Sequence, residues 1–154
     1  MAVRLAINPI TWVNDDLPSL GGGTTLETIL SETRLAGFAG TEMSFQFPKT
    51  AAELGPLLKQ HNLVLTSGWY DGRILERDLE AEWTAILPHM TLLRDLGCTH
   101  VVYADTSRRA EGDLLAPISR RPKLADGEWE GYGKRLTALA DRMADFGVGM
   151  AFHH

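Results

Sequence analysis

Short apolar runs alternate along the chain with longer segments of helical periodicity. Five runs are rich in Val, Leu and Ile with little polar alternation, which is typical of strands covered on both faces. The predicted strands span residues 3–8, 40–44, 63–67, 100–105 and 148–153. Four segments between them place apolar residues on one helical face, and three of these end at a glycine, Gly37, Gly97 or Gly147. The pattern predicts the order β-α-β-α-β-α-β-α-β.

Polar residues mark where two of these helices begin. Thr24 and Glu27 have the spacing of a capping box, and Thr50 and Glu53 repeat it. Since strands alternate with helices throughout, we expect parallel βαβ units with right-handed crossovers.

Two α/β folds begin with this order of elements. A doubly wound open sheet could finish near 154 residues, normally with a last helix over the final strand. A (β/α)8 barrel needs roughly 250 residues and would pass through this pattern just after its midpoint. Because no segment covers the fifth strand, the pattern favours a partial (β/α)8 TIM barrel, truncated after strand five. Residues 1–154 are then the N-terminal portion of a single barrel domain.

Composition and charge narrow the classes of partner. The chain is 44% hydrophobic and 23% charged with a net charge of -5, so it lacks the basic footprint of a nucleic-acid-binding protein. No apolar run approaches ~18 residues, and the start does not have the pattern of a signal peptide. A single cysteine, Cys98, rules out a disulfide within the chain. We expect a cytoplasmic protein without nucleic-acid or membrane partners.

Candidate chemistry lies where ligands meet parallel sheets, at the C-terminal ends of the strands. Polar, acidic and aromatic residues occur at all five predicted ends. They are Asn8, Trp12, Asn14, Asp15 and Asp16 after the first, Glu42 within the second, Ser67, Trp69, Tyr70 and Asp71 after the third, Tyr103 and Asp105 ending the fourth, and His153 and His154 ending the fifth. Such a set suits a small polyhydroxylated ligand.

Several candidates also have a purely structural interpretation. Asn-Asp-Asp before a proline is often only a turn, because Asx side chains bond their own backbone. Trp12 and Trp69 could belong to the core instead of a pocket. An acid in an apolar strand is costly unless it is paired, which makes Glu42 the stronger functional candidate. Asp105 could simply cap its strand.

The terminal histidines are either the remnant of a purification tag or a native strand end. "VGMAFHH" continues a strand without a linker, which favours the native interpretation. Adjacent strand residues face opposite ways, so one of His153 and His154 would point into a barrel mouth. A neutral imidazole there could bind a divalent metal or carry a proton.

Particular strings resemble a known family. "NPITWVNDDLP", "GTEMSFQFP", "SGWY", "VVYADTS", "DGEWEGY" and "AFHH" together resemble the inosose dehydratases, which belong to the xylose-isomerase-like TIM barrels. The resemblance covers residues 3–154, and residues 8–18 are its most specific part. "AFHH" looks like the histidine run of the family's fifth strand, which continues there into the rest of the barrel.

The resemblance implies a metal-dependent lyase of inositol catabolism. Such an enzyme eliminates water from 2-keto-myo-inositol, a cyclic ketone bearing hydroxyls. Manganese or cobalt is implied as the divalent ion, and glutathione is associated with the activity. The chemistry is proton abstraction beside a carbonyl, followed by loss of a hydroxyl with help from a general acid.

Residue roles follow from the resemblance position by position. Glu42, Asp105 and His153 are expected to be catalytic, and His154 to be a metal ligand. The expected substrate-binding residues are Asn8, Trp12, Asn14, Asp15, Asp16, Trp69 and Tyr103. Many relatives carry glutamate in place of Asp105. Because the wider superfamily draws its remaining ligands from strands six to eight, the 154-residue chain alone is expected to be inactive.

Two other functions remain open from the sequence. A sugar isomerase or epimerase on the same barrel would share the enolate step but need a second base on the opposite substrate face. A non-catalytic half-barrel would bind polyols only, or form a homo-oligomer by pairing its open edges.

Overall fold

The computed structural model describes residues 3–108, 117–120 and 122–153. The strands are β1 Ala6–Ile7, β2 Gly40–Thr41, β3 Val64–Leu65, β4 Trp69–Gly72, β5 His100–Asp105 and β6 Gly149–His153. The helices are α1 Leu26–Leu35, α2 Ala51–Gln60, α3 Leu79–Asp95 and α4 Trp129–Phe146. Short 3-10 turns occupy Pro9–Thr11, Ile118–Arg120 and Asp126–Glu128. No helix in these ranges is long and apolar enough to cross a membrane.

All strand pairs are parallel, in the order β1-β2-β3 and β4-β5-β6. β3 and β4 are two pieces of the predicted third strand, since β3 pairs with β2 on one side and β4 with β5 on the other. Backbone hydrogen bonds from Met43 N–H to Ser67 O and from Val102 N–H to Gly68 O, both 2.9 Å, bridge the break. The strands thus follow one another in chain order, as in a partial barrel, and the predicted fold class is confirmed.

The helices cover one face of this sheet. Sequential parallel strands with right-handed crossovers place every connecting helix on the same side. On β5, Val101 and Tyr103 are fully buried in the core on that side. The opposite side, called the open face below, carries exposed residues: Val64, Trp69, Asp71, Ala151 and His153.

One predicted helix start is confirmed and one is wrong by a residue. The Thr50 hydroxyl accepts a hydrogen bond from Glu53 N–H at 3.3 Å, which is one half of the predicted capping box, and donates to the Glu53 carboxylate at 2.7 Å. The cap of α1 is Thr25, which accepts from Thr28 N–H at 3.1 Å. Thr24 lies one residue before the cap, and its hydroxyl donates to the Trp12 carbonyl oxygen at 3.4 Å.

An ion pair joins Arg108, three residues after β5, to Glu128, directly before α4. Both terminal nitrogens of Arg108 donate to the Glu128 carboxylate, with Nη1 lying 3.1 Å from Oε2. These charge-assisted bonds lower the pKa of Glu128 to about 2. The two ends of the connection between β5 and α4 are thereby tied together.

This ion pair predicts a pH-dependent contribution to stability. The folded-state pKa of Glu128 lies below its ordinary value, so the contribution is present above pH ~4.3 and is lost as pH falls toward about 2. Carboxyl NMR titration should show the pKa of Glu128 moving up toward its ordinary value in Arg108→Gln, with the Ala125 N–H bond to the carboxylate still in place. Lys134→Gln, which removes an exposed partner of Glu130, is the control. A Glu128 titration that Arg108→Gln does not move would refute the assignment.

Candidate functional site

Three strand ends meet at one carboxylate. Glu42 directly follows β2, Asn8 follows β1 and Ser67 follows β3. Asn8 Nδ2 donates to Glu42 Oε2 and Ser67 Oγ donates to Glu42 Oε1, each at a distance of 2.5 Å. Both oxygens of the half-buried carboxylate are therefore oriented by a donor from a neighbouring strand. Asn8, Glu42 and Ser67 are called the strand-end triad below.

Asn8 is oriented by its own loop. The residue caps the 3-10 turn Pro9–Thr11, and its Oδ1 accepts a hydrogen bond from Ile10 N–H at 2.9 Å. This bond fixes which end of the amide carries the oxygen, so Nδ2 must face Glu42. The turn chemistry of "NPIT" thus sets the donor that holds the carboxylate.

A change of phase in the third strand turns Ser67 toward Glu42. Val64 is exposed and Leu65 buried, whereas Trp69 and Asp71 are exposed and Gly72 buried. Open-face positions are therefore even-numbered before the break and odd-numbered after it. An extra residue of this kind is a β-bulge, a device that redirects side chains next to functional sites.

Glycine at position 68 is required by the packing beneath the bulge. A Cβ there would lie 2.8 Å from His89 Cε1 and 3.0 Å from Met43 Cβ. Gly68 therefore faces the helix layer, and its neighbours Ser67 and Trp69 face the other way. Burial lowers the pKa of His89, so its ring is neutral at neutral pH.

Trp69, Asp71 and His153 form a second group on the open face, called the aromatic row below. The Trp69 indole N–H donates to Asp71 Oδ1 at 2.9 Å. The Trp69 and His153 rings meet edge to face, with centroids 4.9 Å apart. Register pairs Asp71 with Ala104 and Ala104 with His153, so Asp71 and His153 lie level across three strands, and Trp69 lies two residues earlier on β4.

The triad and the row share one strand and one face. Ser67 and Trp69 are two residues apart, which corresponds to about 7 Å along a strand. Trp69 is 43% exposed, so its ring face is accessible to a ligand. A carboxylate, an aromatic face and an imidazole thus lie on the same side of the sheet.

The first loop is largely engaged with itself and with neighbouring loops. Asn14 Oδ1 accepts from Asp16 N–H at 2.9 Å and Leu17 N–H at 2.8 Å, an Asx turn. Asp15 Oδ1 accepts from Ser44 Oγ at 3.0 Å, and Oδ2 accepts from Phe45 N–H at 3.2 Å. The contacts of Asn14 are thus those of a turn, and Asp15 connects the loop after β1 to the loop after β2.

Trp12 is held against α1. The Trp12 indole N–H donates to Glu32 Oε2 on α1 at 2.5 Å, and the half-buried ring packs against the core. Asp16 is exposed in the same loop. The structure thus brings Asn8 and Glu42 together but places Trp12 against a helix.

Tyr103 and Asp105 lie toward the loop after β4. Tyr103 is fully buried on the helix side, where its hydroxyl donates to Glu82 Oε1 at 3.0 Å. Asp105 accepts hydrogen bonds from Leu75 N–H at 3.0 Å and Ser107 N–H at 2.9 Å. Burial and the Asp105 charge raise the pKa of Tyr132 to about 12. These contacts favour the capping interpretation of Asp105, and Tyr103 is outside the open face.

The residues available for a metal are few in the described ranges. Across residues 3–108, 117–120 and 122–153, no three His, Cys, Asp or Glu side chains are grouped so that they could hold an ion. His154, the predicted ligand, lies outside the described residues. The described donors therefore do not fit a metal centre by themselves.

Ser67 and Asp71 were candidates from their place after the third strand, but the sequence assigned them no role in the site. Both occur in "SGWYDGR" after the third strand. Strict alternation along the predicted strand would place Ser67 on the helix side, because the even-numbered residues before it face the open face. The bulge reverses this, and the sequence pattern does not show the bulge. The paired glycines at 68 and 72, each with a ring packed against it, are the signal that could have revealed it.

Comparison with known proteins finds relatives over the whole chain. No family model matches. The chain is 59% identical over 154 residues to the rhizopine catabolism protein MocC of Rhizobium meliloti, covering 100% of this chain and 47% of that protein. It is 32% identical over 155 residues to inosose dehydratase of Lacticaseibacillus casei, covering 100% of this chain and 52% of that one. The resemblance to inosose dehydratases is confirmed, and the chain spans about half the length of the curated relatives it matches.

Solved structures agree on the fold. A xylose isomerase-like TIM barrel protein from Mycobacterium smegmatis in complex with magnesium gives a TM-score of 0.65 at 15% identity, covering 97% of this chain and 54% of that one. The probable 3-DHS dehydratase AsbF of Bacillus anthracis gives 0.63 at 12%, covering 97% and 52%. An AP endonuclease of family 2 from Brucella melitensis gives 0.63 at 20%, covering 98% and 55%. Since a dehydratase and an endonuclease share this fold, the fold alone does not select a reaction.

Proposed function

We propose that this chain forms the first half of the barrel of a dehydratase that removes water from 2-keto-myo-inositol. The observation that carries the proposal is Glu42, oriented at both oxygens by Asn8 and Ser67. That carboxylate lies in a chain with 32% identity to an inosose dehydratase. A polar strand-end site of this kind suits a ring bearing a ketone and several hydroxyls.

Glu42 is the proposed proton acceptor. The carboxylate takes the proton from the carbon beside the ketone, the C–H bond breaks, and its electron pair enters the enolate. Each oxygen of Glu42 receives one hydrogen bond and keeps a second acceptor site for this proton. The two donors also prevent the carboxylate from rotating away from the ring.

His153 is the proposed general acid of the second step. The enolate electrons return to form the C=C bond, the C–O bond of the neighbouring hydroxyl breaks, and an imidazolium proton completes the water molecule. The edge-to-face contact with Trp69 orients the imidazole on the open face. Asp105, whose oxygens accept two backbone N–H groups, is assigned no step.

Trp69 is proposed to cover one face of the substrate ring. Trp69→Ala should raise KM for 2-keto-myo-inositol by about 5–30-fold, because a stacking contact is worth roughly 1–2 kcal/mol. Steady-state kinetics on the protein from its complete reading frame measures this. Trp129→Ala is the control, because Trp129 is 58% exposed and starts α4 away from the open face. Equal KM values for the Trp69 and Trp129 variants would remove Trp69 from the substrate site.

No step is assigned to a metal ion, because the described residues do not assemble a ligand set. Manganese or cobalt, glutathione, a cytoplasmic location and a homo-oligomeric state stay predictions. Asn14, Asp15, Asp16 and Trp12 are proposed to shape the first loop around the substrate.

A second candidate function is a step in rhizopine catabolism. It is favoured by the 59% identity to MocC, which exceeds the 32% identity to inosose dehydratase. Parallel assays of the protein from its complete reading frame with 2-keto-myo-inositol and with rhizopine separate the two. A product lighter by one water from 2-keto-myo-inositol supports the first function. Conversion of rhizopine alone would replace it with the second.

A further inference from the structure

The three residues after β4 are held through their backbone. Arg73 N–H donates to Glu82 Oε1 at 3.0 Å, Ile74 N–H donates to Tyr103 Oη at 3.3 Å, and Leu75 N–H donates to Asp105 Oδ2 at 3.0 Å. Arg135 completes the set, donating from Nε to Ile74 O at 3.0 Å and from Nη2 to Leu75 O at 3.3 Å. Three N–H groups and two carbonyl groups of residues 73–75 are thus bound by four side chains. This set of contacts is called the 73–75 clamp below.

The centre of the clamp is buried. Glu82 and Tyr103 are both fully inaccessible to solvent. Glu82 also accepts from Arg77 Nη1 at 3.1 Å, and Tyr103 Oη donates to the same carboxylate. Burying a carboxylate is costly unless its charge and its hydrogen bonds are matched. The Glu82 carboxylate therefore depends on the partners that it shares with the 73–75 backbone.

The clamp acts on the strand that carries the aromatic row. Trp69 and Asp71 lie in β4, and the clamped backbone begins one residue after β4 ends at Gly72. A Cβ at Gly72 would collide with the Tyr103 ring, so strand and ring are in direct contact. Movement of residues 73–75 would therefore tilt the end of β4 and shift the Trp69 face.

We propose that Glu82 and Tyr103 are positioning residues that fix the 73–75 backbone and hold Trp69 and Asp71 in place for a polyhydroxylated ring. The ligand class rests on the proposed function, whereas the positioning rests on the contacts alone. Neither residue reaches the open face, so both act through the strand. Asp105 belongs to the same clamp through the hydrogen bond that it accepts from Leu75 N–H.

Amide hydrogen exchange tests the clamp independently of activity. In the protein from its complete reading frame, Tyr103→Phe removes only the hydroxyl that binds Ile74 N–H. We expect exchange at Ile74 to accelerate about fivefold, because an intramolecular hydrogen bond is worth about 1 kcal/mol. Thr91→Val is the control, because it removes a hydroxyl that donates to Leu87 O at 2.8 Å within α3. Glu82→Gln is the second variant, with Arg73 as the amide reporter, if Tyr103→Phe does not fold.

Kinetics then distinguish positioning from a general loss of folded protein. Positioning predicts that Tyr103→Phe raises KM for 2-keto-myo-inositol severalfold and leaves kcat within about twofold. Unchanged exchange at 73–75, or a lower kcat at unchanged KM, would overturn the proposal. A protein that exchanges as expected but never dehydrates 2-keto-myo-inositol would refute the proposed function and leave the clamp standing.

Discussion

Glu42→Gln is expected to lower turnover of 2-keto-myo-inositol by about 10²–10⁴-fold while the protein stays folded. The amide has the shape of the carboxylate but cannot accept the substrate proton. The Ser67 hydroxyl can rotate to suit an amide oxygen or nitrogen, and Asn8 can still donate to the amide oxygen. The melting temperature should therefore change little. Steady-state kinetics beside a thermal melt on the complete protein measures both effects.

Glu130→Gln is the matched control for this variant. Glu130 forms an exposed pair with Lys134 on α4, and such pairs contribute about 0–1 kcal/mol. Turnover should be unchanged in Glu130→Gln. If Glu42→Gln retained the full turnover of the parent protein, Glu42 would not be the proton acceptor.

Glu82→Ala is expected to lower the free energy of unfolding by about 3–5 kcal/mol. The substitution leaves Arg73 N–H and the Tyr103 hydroxyl without their acceptor, and Arg77 without its buried partner. The Tyr103 hydroxyl lies in the interior, where an unsatisfied donor is costly. Chemical denaturation of parent and variant gives the difference directly.

Glu80→Ala on the same helix separates burial from charge. Glu80 pairs with Arg142 at the surface, where its side chain is 74% exposed. Its removal should cost at most about 1 kcal/mol. Similar losses for Glu80→Ala and Glu82→Ala would mean that the buried network does not stabilise the fold.

The fold could be predicted from the sequence because its pattern is local. Each strand is a compact apolar run, each helix has its own apolar face, and a parallel order follows from their alternation. The divided third strand could not be predicted in this way. Its break depends on Gly68 fitting against His89 and Met43, a contact between elements distant in sequence.

From the sequence, a site residue could be predicted only where a polar or acidic side chain lies at the end of an apolar strand. Glu42 was identifiable because an acid in an apolar strand needs a partner, and the structure supplies Asn8 and Ser67. Tyr103 illustrates the limit: whether a strand residue faces the helices or the open face depends on register. Its partner Glu82 lies on α3 and carries no signal in the pattern of β5.

The most direct test is incubation of 2-keto-myo-inositol in D2O with the protein from its complete reading frame, with and without added Mn²⁺ or Co²⁺. Mass spectrometry and proton NMR follow the substrate and product. We expect the parent protein to form a product that lacks one water, and Glu42→Gln to form much less of it. Recovery of unaltered 2-keto-myo-inositol, without deuterium beside the ketone under any of these conditions, would contradict it.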